Sequence, residues 1–440
     1  MMSSSQNSAR RVVVTGVGVV SPIGIGVDPF WENLSRGKSG IAPVELIDCL
    51  ASPKSVAAEI RDFTDATAKS EYLKSQRKSI KVMCREIQLG VASAPLAITH
   101  AGLDLEQIDH ERFGVDFGAN LMFSPPEVLR DACWACVDEH ESKREFIYSQ
   151  WGSKGLGAME PLWLLRYLPN MPACHIGIQA DARGPSNSIT LDDASGCLAL
   201  GEAYRVIQRN GADVMIAGTT GTRVHAVKSL HSALWDELAS YDDPPETWCR
   251  PFDANRRGQV LGEGACSFIL EEEAHAKGRN AKVLGRVLGT GSSCVAAPDG
   301  RADIRKALVN AMRSALRDAH LEPGDIGHVN AHGTGERKGD LLEALAIHDV
   351  FGELGAKVPV TALKSYLGNA GSGSGTLELA GSLMGLQHGV VPATLNFSQP
   401  DLECPLNVVH GEPLAVSNRA FLKMNVTRAG QASAIVIEGS

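Results

Sequence analysis

The stretch Gly184-Pro-Ser-Asn-Ser-Ile-Thr-Leu-Asp-Asp-Ala-Ser-Gly196 decides how this chain is interpreted. It leads into a helical pattern that we predict over Ala194–Arg209. Asp193 stands at the start of that helix. An aspartate there can accept a hydrogen bond from the helix N-terminus, and its charge suits the positive end of the helix dipole. The stretch therefore predicts a turn that enters a helix, with a carboxylate at the helix tip.

Apolar strands and helical patterns alternate on both sides of this stretch. A β-branched run, Val12–Val20, ends at Ser21-Pro22 and is typical of a buried strand stopped by a turn. Further strands are predicted over Phe113–Ala119, Asp213–Ala217, Ala281–Gly291, Ile326–Asn330 and Ala434–Glu438, and further helices over Arg85–Ala101, Ile304–Ala319 and Glu378–Leu386. Such alternation indicates parallel or mixed sheets covered by helices. The predicted fold class is therefore α/β, with the plan of the first half repeated in the second.

Composition indicates an ordinary soluble globular protein. The composition is 44% hydrophobic and 21% charged. With 440 residues, the chain is long enough for two large domains or one duplicated domain. The net charge of −9 argues against a nucleic-acid partner. No apolar run is long enough to span a bilayer, and Gly16 and Gly18 interrupt the N-terminal apolar run, which argues against a signal peptide. We expect a cytoplasmic protein with no membrane partner.

Cysteines and glycines give no sign of a metal or nucleotide site. The ten cysteines are scattered, and the one close pair, Cys133 and Cys136, has no second pair to complete a zinc site. The segment Gly371-Ser-Gly-Ser-Gly375 lacks the flanking Lys-Ser/Thr of a phosphate-binding loop. We therefore expect no metal and no cofactor.

Further segments, together with Gly184–Gly196, carry a family resemblance. They are Arg11-Val-Val-Val-Thr-Gly-Val-Gly-Val-Val-Ser-Pro22, Arg250-Pro-Phe-Asp253 with Gly262-Glu-Gly264, Asn330-Ala-His-Gly-Thr-Gly335, and Leu363-Lys-Ser-Tyr-Leu-Gly-Asn-Ala-Gly371. In their order and spacing the chain resembles the β-ketoacyl-acyl-carrier-protein synthases (ketosynthases) of the thiolase superfamily over nearly its whole length. The resemblance implies a thiolase-like fold, two duplicated α/β halves stacked in α-β-α-β-α layers.

The resemblance also implies a division of the chain. Residues 11–264 are predicted as the N-terminal ketosynthase half and residues 265–440 as the C-terminal half, after a disordered tail over residues 1–10. Residues 120–180 break the alternation of strands and helices and carry three of the six tryptophans. We expect this segment to line the pocket and form dimer contacts, with plain core packing as the alternative.

Carried over position by position, the resemblance assigns the catalytic positions of the family, and three of them are changed. The nucleophilic cysteine of the family falls on Asp193, and its second histidine falls on Asn369. The gating Gly-Phe-Gly-Gly loop falls on Thr427-Arg-Ala-Gly430, so that Thr427 begins the gate and Arg428 replaces its phenylalanine. The first histidine, the supporting lysine and the supporting glutamate are retained as His332, Lys364 and Glu378.

Three roles stay open for Asp193. It can be a structural N-cap, a working carboxylate of raised pKa that acts as general acid or base with His332, or the carrier of an acyl anhydride that water would attack. Cys197 lies one helical turn further along, about 5.4 Å, and is expected to be a core cysteine.

The resemblance implies a protein of fatty-acid or polyketide-type biosynthesis that binds the acyl-phosphopantetheine of an acyl carrier protein. Because the nucleophile is changed, the predicted function is a non-condensing, chain-length-factor-like partner that forms a homodimer or a heterodimer with an active ketosynthase. The alternative is altered chemistry on acyl or malonyl thioesters, namely decarboxylation, hydrolysis or acyl transfer by Asp193, His332 and Asn369. An ionised Asp193 would repel a malonyl carboxylate by about 1 kcal/mol even in water.

Overall fold

The structure is a computed structural model that describes residues 10–48, 50–140 and 143–440. The predicted tail lies outside the described residues except for Arg10. The strands are β1 (Val12–Ser21), β2 (Gly24–Ile25), β3 (Ile41–Pro43), β4 (Val56–Ala58), β5 (Phe113–Ala119), β6 (Val137–His140), β7 (Lys143–Phe146), β8 (Ser186–Ile189), β9 (Val214–Thr222), β10 (Glu263–Glu272), β11 (Gly285–Cys294), β12 (His328–Asn330), β13 (Pro359–Thr361), β14 (Val390–Val391), β15 (Asn407–Val408), β16 (Leu414–Ala415), β17 (Ala420–Val426) and β18 (Gln431–Gly439). The α-helices are α1 (Val27–Ser35), α2 (Asp65–Thr67), α3 (Arg85–Ala101), α4 (Pro126–Trp134), α5 (Met171–Ala180), α6 (Ser195–Gln208), α7 (Ala226–Trp235), α8 (Glu273–Gly278), α9 (Ile304–Ala319), α10 (Arg337–Phe351), α11 (Lys364–Leu367) and α12 (Ser372–Gln387).

A mixed sheet of 12 strands organises the chain. Its strand order is β15-β13-β12-β17-β18-β11-β1-β10-β9-β5-β8, with β2 paired to β1 off this path. The strands in the middle of the order are antiparallel, and those toward both ends, such as β8 beside β5 and β13 beside β12, are parallel. The buried faces of β1, β5 and β10 explain why these strands are apolar along their whole length.

Helices cover the sheet in layers. Helices α3 and α5 pack on one outer face and α9 and α10 on the other, while α6 and α12 lie between the two halves of the sheet. Each layer boundary has its own apolar core. This arrangement confirms the predicted α/β, thiolase-like fold class.

Small residues allow the two central helices to approach closely. A Cβ on Gly196 would lie 3.0 Å from the Cα of Gly375, and a Cβ on Gly373 would lie 2.3 Å from the backbone oxygen of Gly264. The glycine-rich segment that lacks a phosphate-loop signature therefore forms the tightly packed first turn of α12. Because a Ser/Gly run is typical of a loop, the sequence pattern placed the start of α12 at Glu378, whereas the helix begins at Ser372.

Most other predicted elements agree with the structure. The bounds of α3, β5 and α9 are those predicted, and α6, β9 and β18 differ by a few residues at their ends. Strand β11 begins at Gly285, four residues later than predicted, because Ala281 follows the end of α8 in a turn. Among the described residues, no helix is long and apolar enough to cross a membrane.

Candidate functional site

A cavity of about 480 Å³ lies where the N-terminus of α6, helix α7 and the turns after β12 and β17 meet. Five of the seven predicted site residues line it: Asp193, His332, Asn369, Thr427 and Arg428. Lys364 and Glu378 do not line the cavity but lie behind His332, in contact with it or with each other. The structure thus brings all seven residues into one site.

The turn after β12 presents His332. Its buried backbone N–H groups donate to two carboxylates on the first turns of α10. Glu343 accepts from the N–H of His332 at 2.5 Å and of Gly333 at 2.8 Å, and Asp340 accepts from the two N–H groups that follow. Gly333 has φ +41° and a Cβ there would lie 2.6 Å from the Cβ of Ala362, so only glycine fits the turn.

The imidazole of His332 is held from behind by donors only. Lys364 Nζ lies 3.1 Å from His332 Nδ1, and Asn425 Nδ2 lies 3.2 Å from the same atom. Burial and the positive charges of Lys364, Lys423 and Arg223 hold the pKa of His332 well below its usual range. His332 is therefore neutral at physiological pH.

A buried ionic chain supports this histidine. Lys364 Nζ donates to the backbone oxygen of His332 at 2.8 Å and to Glu378 Oε1 at 2.6 Å. Lys423 Nζ lies 2.5 Å from the other oxygen of Glu378. Lys364 and Glu378 were predicted from the family resemblance, whereas Lys423 and Asn425 come from β17 and lie outside the motifs that carry it.

Asn369 has a fixed orientation. Its side-chain oxygen accepts from the N–H of Gly371 at 2.9 Å and from the hydroxyl of Ser374 at 3.1 Å. Its Nδ2 donates to Gln259 Oε1 at 2.7 Å, which leaves one amide N–H of this cavity-lining residue for a ligand. The amide is thus presented as a hydrogen-bond donor.

Asp193 is not the helix cap that the sequence suggested. Helix α6 begins at Ser195, its first turn has no side-chain cap, and the Asp193 carboxylate instead forms an ion pair with Arg223 at 2.8 Å. The reason is that a buried guanidinium is available, and a charged pair is stronger than a neutral cap. The other carboxylate oxygen, Oδ1, is buried and has no hydrogen-bond partner among the described residues.

Burial raises the pKa of Asp193 to about 6. Arg223 opposes this rise, and the negative charge of Asp192 adds to it. The raised pKa follows from the low-dielectric surroundings of the buried carboxylate, and the role of Asp193 stays a prediction.

Arg223 contacts several acceptors at the cavity wall and was not predicted from the sequence. Besides Asp193, it contacts Asp192 at 3.1 Å, Asp236 at 3.9 Å and Gln259 Oε1 at 3.2 Å. Arg223 lies 30 residues after Asp193, beyond the end of β9, so no local spacing in the sequence indicates that the two residues pair. With Glu336 also on the wall, carboxylates outnumber the available cations inside the cavity.

Cys197 lies away from the cavity, as predicted for a core cysteine. Its Sγ is 3.6 Å from Asn425 Oδ1 and 3.9 Å from the backbone oxygen of Lys423. Burial raises the pKa of its thiol to about 11, so it is not a thiolate at neutral pH. Among the described residues that line the cavity there is no cysteine.

The turn between β17 and β18 forms one side of the cavity mouth. The Thr427 hydroxyl donates to Gln431 Oε1 at 2.9 Å, which braces the turn. The guanidinium of Arg428 lies 5.0 Å from the ring centre of Trp235 at the end of α7, a cation–π contact across the mouth. Both side chains are exposed, so this contact can open without unfolding either element.

The sequence matches two family descriptions. Residues 9–276 match "Beta-ketoacyl synthase, N-terminal domain" and residues 284–398 match "Beta-ketoacyl synthase, C-terminal domain". The chain is 34% identical over 407 residues to 3-oxoacyl-[acyl-carrier-protein] synthase 2 of Coxiella burnetii, covering 92% of each chain. It is 32% identical over 413 residues to the synthase of the same name from Synechocystis, again covering 92% of each.

Solved structures agree over almost the whole chain. A beta-ketoacyl synthase from Burkholderia phymatum has a TM-score of 0.84 at 26% identity, and the ishigamide ketosynthase/chain length factor has 0.82 at 27%. A type II PKS acyl-carrier protein in complex with its ketosynthase bound to the hexaketide has 0.79 at 25%. Each comparison covers 98% of this chain and 100% of the other.

Proposed function

The chain belongs to the β-ketoacyl synthase family, and we propose that it binds acyl-carrier-protein thioesters without condensing them by itself, as the chain-length-factor-like partner of an active ketosynthase. Relatives of this chain are 3-oxoacyl-acyl-carrier-protein synthases, and its structural neighbours include a ketosynthase/chain length factor.

The proposal is supported by the contacts of Asp193, the position on which the resemblance places the family's nucleophile: its carboxylate is engaged by Arg223 at 2.8 Å. Condensation in this family needs an acyl group held on a thiolate. A carboxylate paired with a guanidinium is a poor nucleophile, and its acyl anhydride would be open to water. Cys197 cannot substitute, because its thiol faces away from the cavity and its pKa is raised to about 11.

Two hydrogen-bond donors on the cavity wall support a thioester as the ligand. His332 is neutral, and Asn369 has a free amide N–H at the same wall. Two such donors can bind a carbonyl oxygen. We therefore propose the acyl-phosphopantetheine of an acyl carrier protein as the ligand, which agrees with the acyl-carrier-protein complex among the structural neighbours.

A partner subunit is supported by the edge of the sheet. Strand β8 ends the strand order, and its outer side pairs with no strand among the described residues. The neighbouring segment over residues 120–180 exposes several large apolar side chains, which is typical of a surface covered by another protein. These side chains are Leu121, Trp134, Tyr148, Leu156, Leu162, Leu164 and Ile178. We propose that this face binds a second copy or an active ketosynthase.

Altered chemistry on a neutral acyl thioester is the second candidate, and the pKa of Asp193 favours it. A carboxyl group with a pKa of about 6 can exchange protons near neutral pH, beside the donor His332. Decarboxylation of a malonyl group fits less well. Asp192, Asp236 and Glu336 share the wall with Asp193, and two like charges 4 Å apart repel by about 4 kcal/mol at an effective dielectric of 20.

The test is to incubate the purified protein with octanoyl- and malonyl-acyl-carrier-protein and to measure the intact mass of both partners. We expect unchanged thioesters and no acyl adduct on the wild-type protein. The matched control is Asp193→Cys, which returns a thiol to the helix tip next to Arg223 and should acquire an octanoyl adduct.

The other outcomes are distinct. A condensation product or a wild-type acyl adduct would overturn the proposal. Loss of the octanoyl group as free acid, abolished by Asp193→Asn and by His332→Ala, would instead establish the second candidate.

A further inference from the structure

Two buried lysines share one buried glutamate behind the cavity. Lys364 takes one oxygen of Glu378 at 2.6 Å, and Lys423 takes the other at 2.5 Å. All three side chains are at most 1% exposed. Lys423 also donates to the backbone oxygens of Ala331 at 3.0 Å and Met424 at 2.9 Å, beside its ion pair with Glu378. The group carries a net charge of plus one beside His332.

Nδ1 of His332 faces donors that have no lone pair to offer. The ammonium of Lys364 and the amide nitrogen of Asn425 both approach it within 3.2 Å. The amide of Asn425 is kept in this orientation because its oxygen accepts from the thiol of Cys197 at 3.6 Å. An imidazole nitrogen flanked by two donors must itself be the acceptor, so the proton lies on Nε2.

From these contacts we infer that Lys423 and Asn425 are positioning residues that keep the proton of His332 on Nε2, so that His332 presents the cavity with a fixed hydrogen-bond donor. Nε2 has no partner among the described residues, and His332 lines the cavity. The two residues act through His332 and do not themselves line the cavity.

Lys423 acts on His332 through Glu378. While Lys423 occupies one oxygen of Glu378, Lys364 binds only the other and keeps its remaining protons for the backbone oxygen and Nδ1 of His332. Without Lys423, both oxygens of Glu378 would compete for Lys364 and draw it away from Nδ1. The positive field on the ring would also fall, because Lys423 is one of the cations that keep His332 unprotonated.

Three cations act on His332: Lys364 of α11, Lys423 of β17 and Arg223 after β9. The nearby carboxylates are occupied: Glu378 by the two lysines, Glu343 by backbone N–H groups, and Asp193 on the same cavity wall by Arg223. Removing one cation is therefore the change to which the ring should respond.

This inference rests on the proposed thioester-binding role only for what the donor would bind. A permanent Nε2–H donor suits a carbonyl oxygen, and a protonated Nε2 cannot act as a general base. The position of the proton can be measured without any ligand.

The experiment is long-range ¹H–¹⁵N correlation on the full-length protein with ¹⁵N-labelled histidine, with His332 assigned by its loss in His332→Gln. We expect a protonated Nε2 and an unprotonated Nδ1 that do not change between pH 6 and pH 8. In Lys423→Met the ring pKa should rise by roughly one unit or more, with mixing of the two tautomers. In Asn425→Asp the new carboxylate oxygen should draw the proton to Nδ1.

The matched control is Lys228→Met. Lys228 is also a buried lysine paired with a buried glutamate, Glu86. It lines the same cavity, but it is not among the cations that lower the pKa of His332. It should leave the His332 signals unchanged. Wild-type signals in both folded Lys423→Met and Asn425→Asp, or the same change in Lys228→Met, would overturn the inference. If Lys423→Met does not fold, Lys423→Gln and Asn425→Asp decide it. Failure of the thioester assay would leave this result untouched, so the two failures are distinguishable.

Discussion

At the scale of single residues, the environment of Asp193 governs what the helix tip can do. The carboxylate loses water on burial, gains one cation, Arg223, and meets a second carboxylate, Asp192, at the same cation. Desolvation exceeds the attraction, and the pKa rises to about 6. A helix cap in solvent would show the opposite shift, so the contacts of Asp193, and not its position in the sequence, determine its properties.

This shift predicts how the stability depends on pH. The usual pKa of 3.8 applies to the unfolded chain, and the folded value is about 6. Ionisation is therefore less favourable in the folded state, so stability from this group is complete below pH 4 and is lost as pH rises through 6. Each pKa unit corresponds to about 1.4 kcal/mol. We expect the melting temperature of Asp193→Asn to rise relative to that of the wild type as pH increases from 5 to 7.5, measured by differential scanning calorimetry.

Asp181→Asn is the control for this prediction. Asp181 is exposed, and the neighbouring Arg183 holds its pKa below the usual value, outside the range of the titration. The difference in melting temperature between Asp181→Asn and the wild type should therefore be constant from pH 5 to 7.5. A constant difference for Asp193→Asn as well would show that Asp193 is not a buried, desolvated carboxylate.

At the scale of secondary-structure elements, β8 is the strand through which a partner could extend the sheet. It is parallel to β5, and the N–H of Val115 donates to the backbone oxygen of Pro185 at 3.0 Å. The parallel ladder then continues through the N–H groups of Asn187 and Ile189. The N–H of Ser188 consequently points outward, to where a second chain would pair.

Ser188→Pro is expected to weaken subunit association while the fold is kept. Proline removes an N–H for which the described residues provide no hydrogen-bond acceptor, but it removes a donor from an edge-to-edge ladder. A backbone hydrogen bond contributes about 1 kcal/mol, and a symmetric interface loses two, so the dimer dissociation constant should rise by roughly tenfold or more. Sedimentation velocity over a concentration series measures this.

The control at the same position is Ser188→Ala, which keeps the backbone N–H and should leave association unchanged. If both variants dissociate alike, the side chain and not the strand edge carries the contact. If neither does, β8 is not the interface.

At the scale of the whole molecule, charge constrains how an acyl carrier protein could approach. The chain has a net charge of −9, and acyl carrier proteins are acidic, so docking needs a local basic region. Arg337 and Lys338 are exposed on the first turn of α10, between the cavity-lining residues Glu336 and Gly339. They are suited to meet an acidic partner at the cavity mouth.

Lys338→Glu should therefore lower the association rate with octanoyl-acyl-carrier-protein by roughly tenfold at low salt, with a smaller effect as ionic strength rises. Stopped-flow or surface plasmon resonance at several salt concentrations measures it.

The control is Lys282→Glu, an exposed lysine that changes net charge equally. Lys282 precedes β11, and the first residue of β11 pairs with Gly439 at the C-terminal end of β18. The cavity-lining Gln431 lies at the other end of β18, so Lys282 is distant from the cavity. Equal weakening by both variants would mean that overall charge, and not docking at the mouth, controls association. If Lys338→Glu does not weaken association, Arg337 and Lys338 are not the docking site.

The sequence was enough to predict the fold class and the positions of several strands and helices, with matching bounds for α3, β5 and α9. The seven site residues came from the family resemblance. The elements were predictable because periodicity follows from burial of one face. The site residues were assigned through the motifs around His332 and Lys364 that carry the family resemblance. The division near residue 264 and the roles of the site residues stay predictions.

The contacts and the protonation of those residues depend on how the chain packs in three dimensions. Arg223 meets Asp193 across 30 residues, and Lys423 meets Glu378 across the central layer, contacts that depend on how strands and helices pack. The direction of the Cys197 thiol and the neutral state of His332 likewise follow from burial and nearby charge. These effects act through space, where neighbours along the chain give no information, and they turn a recognisable set of residues into a site with a particular chemistry.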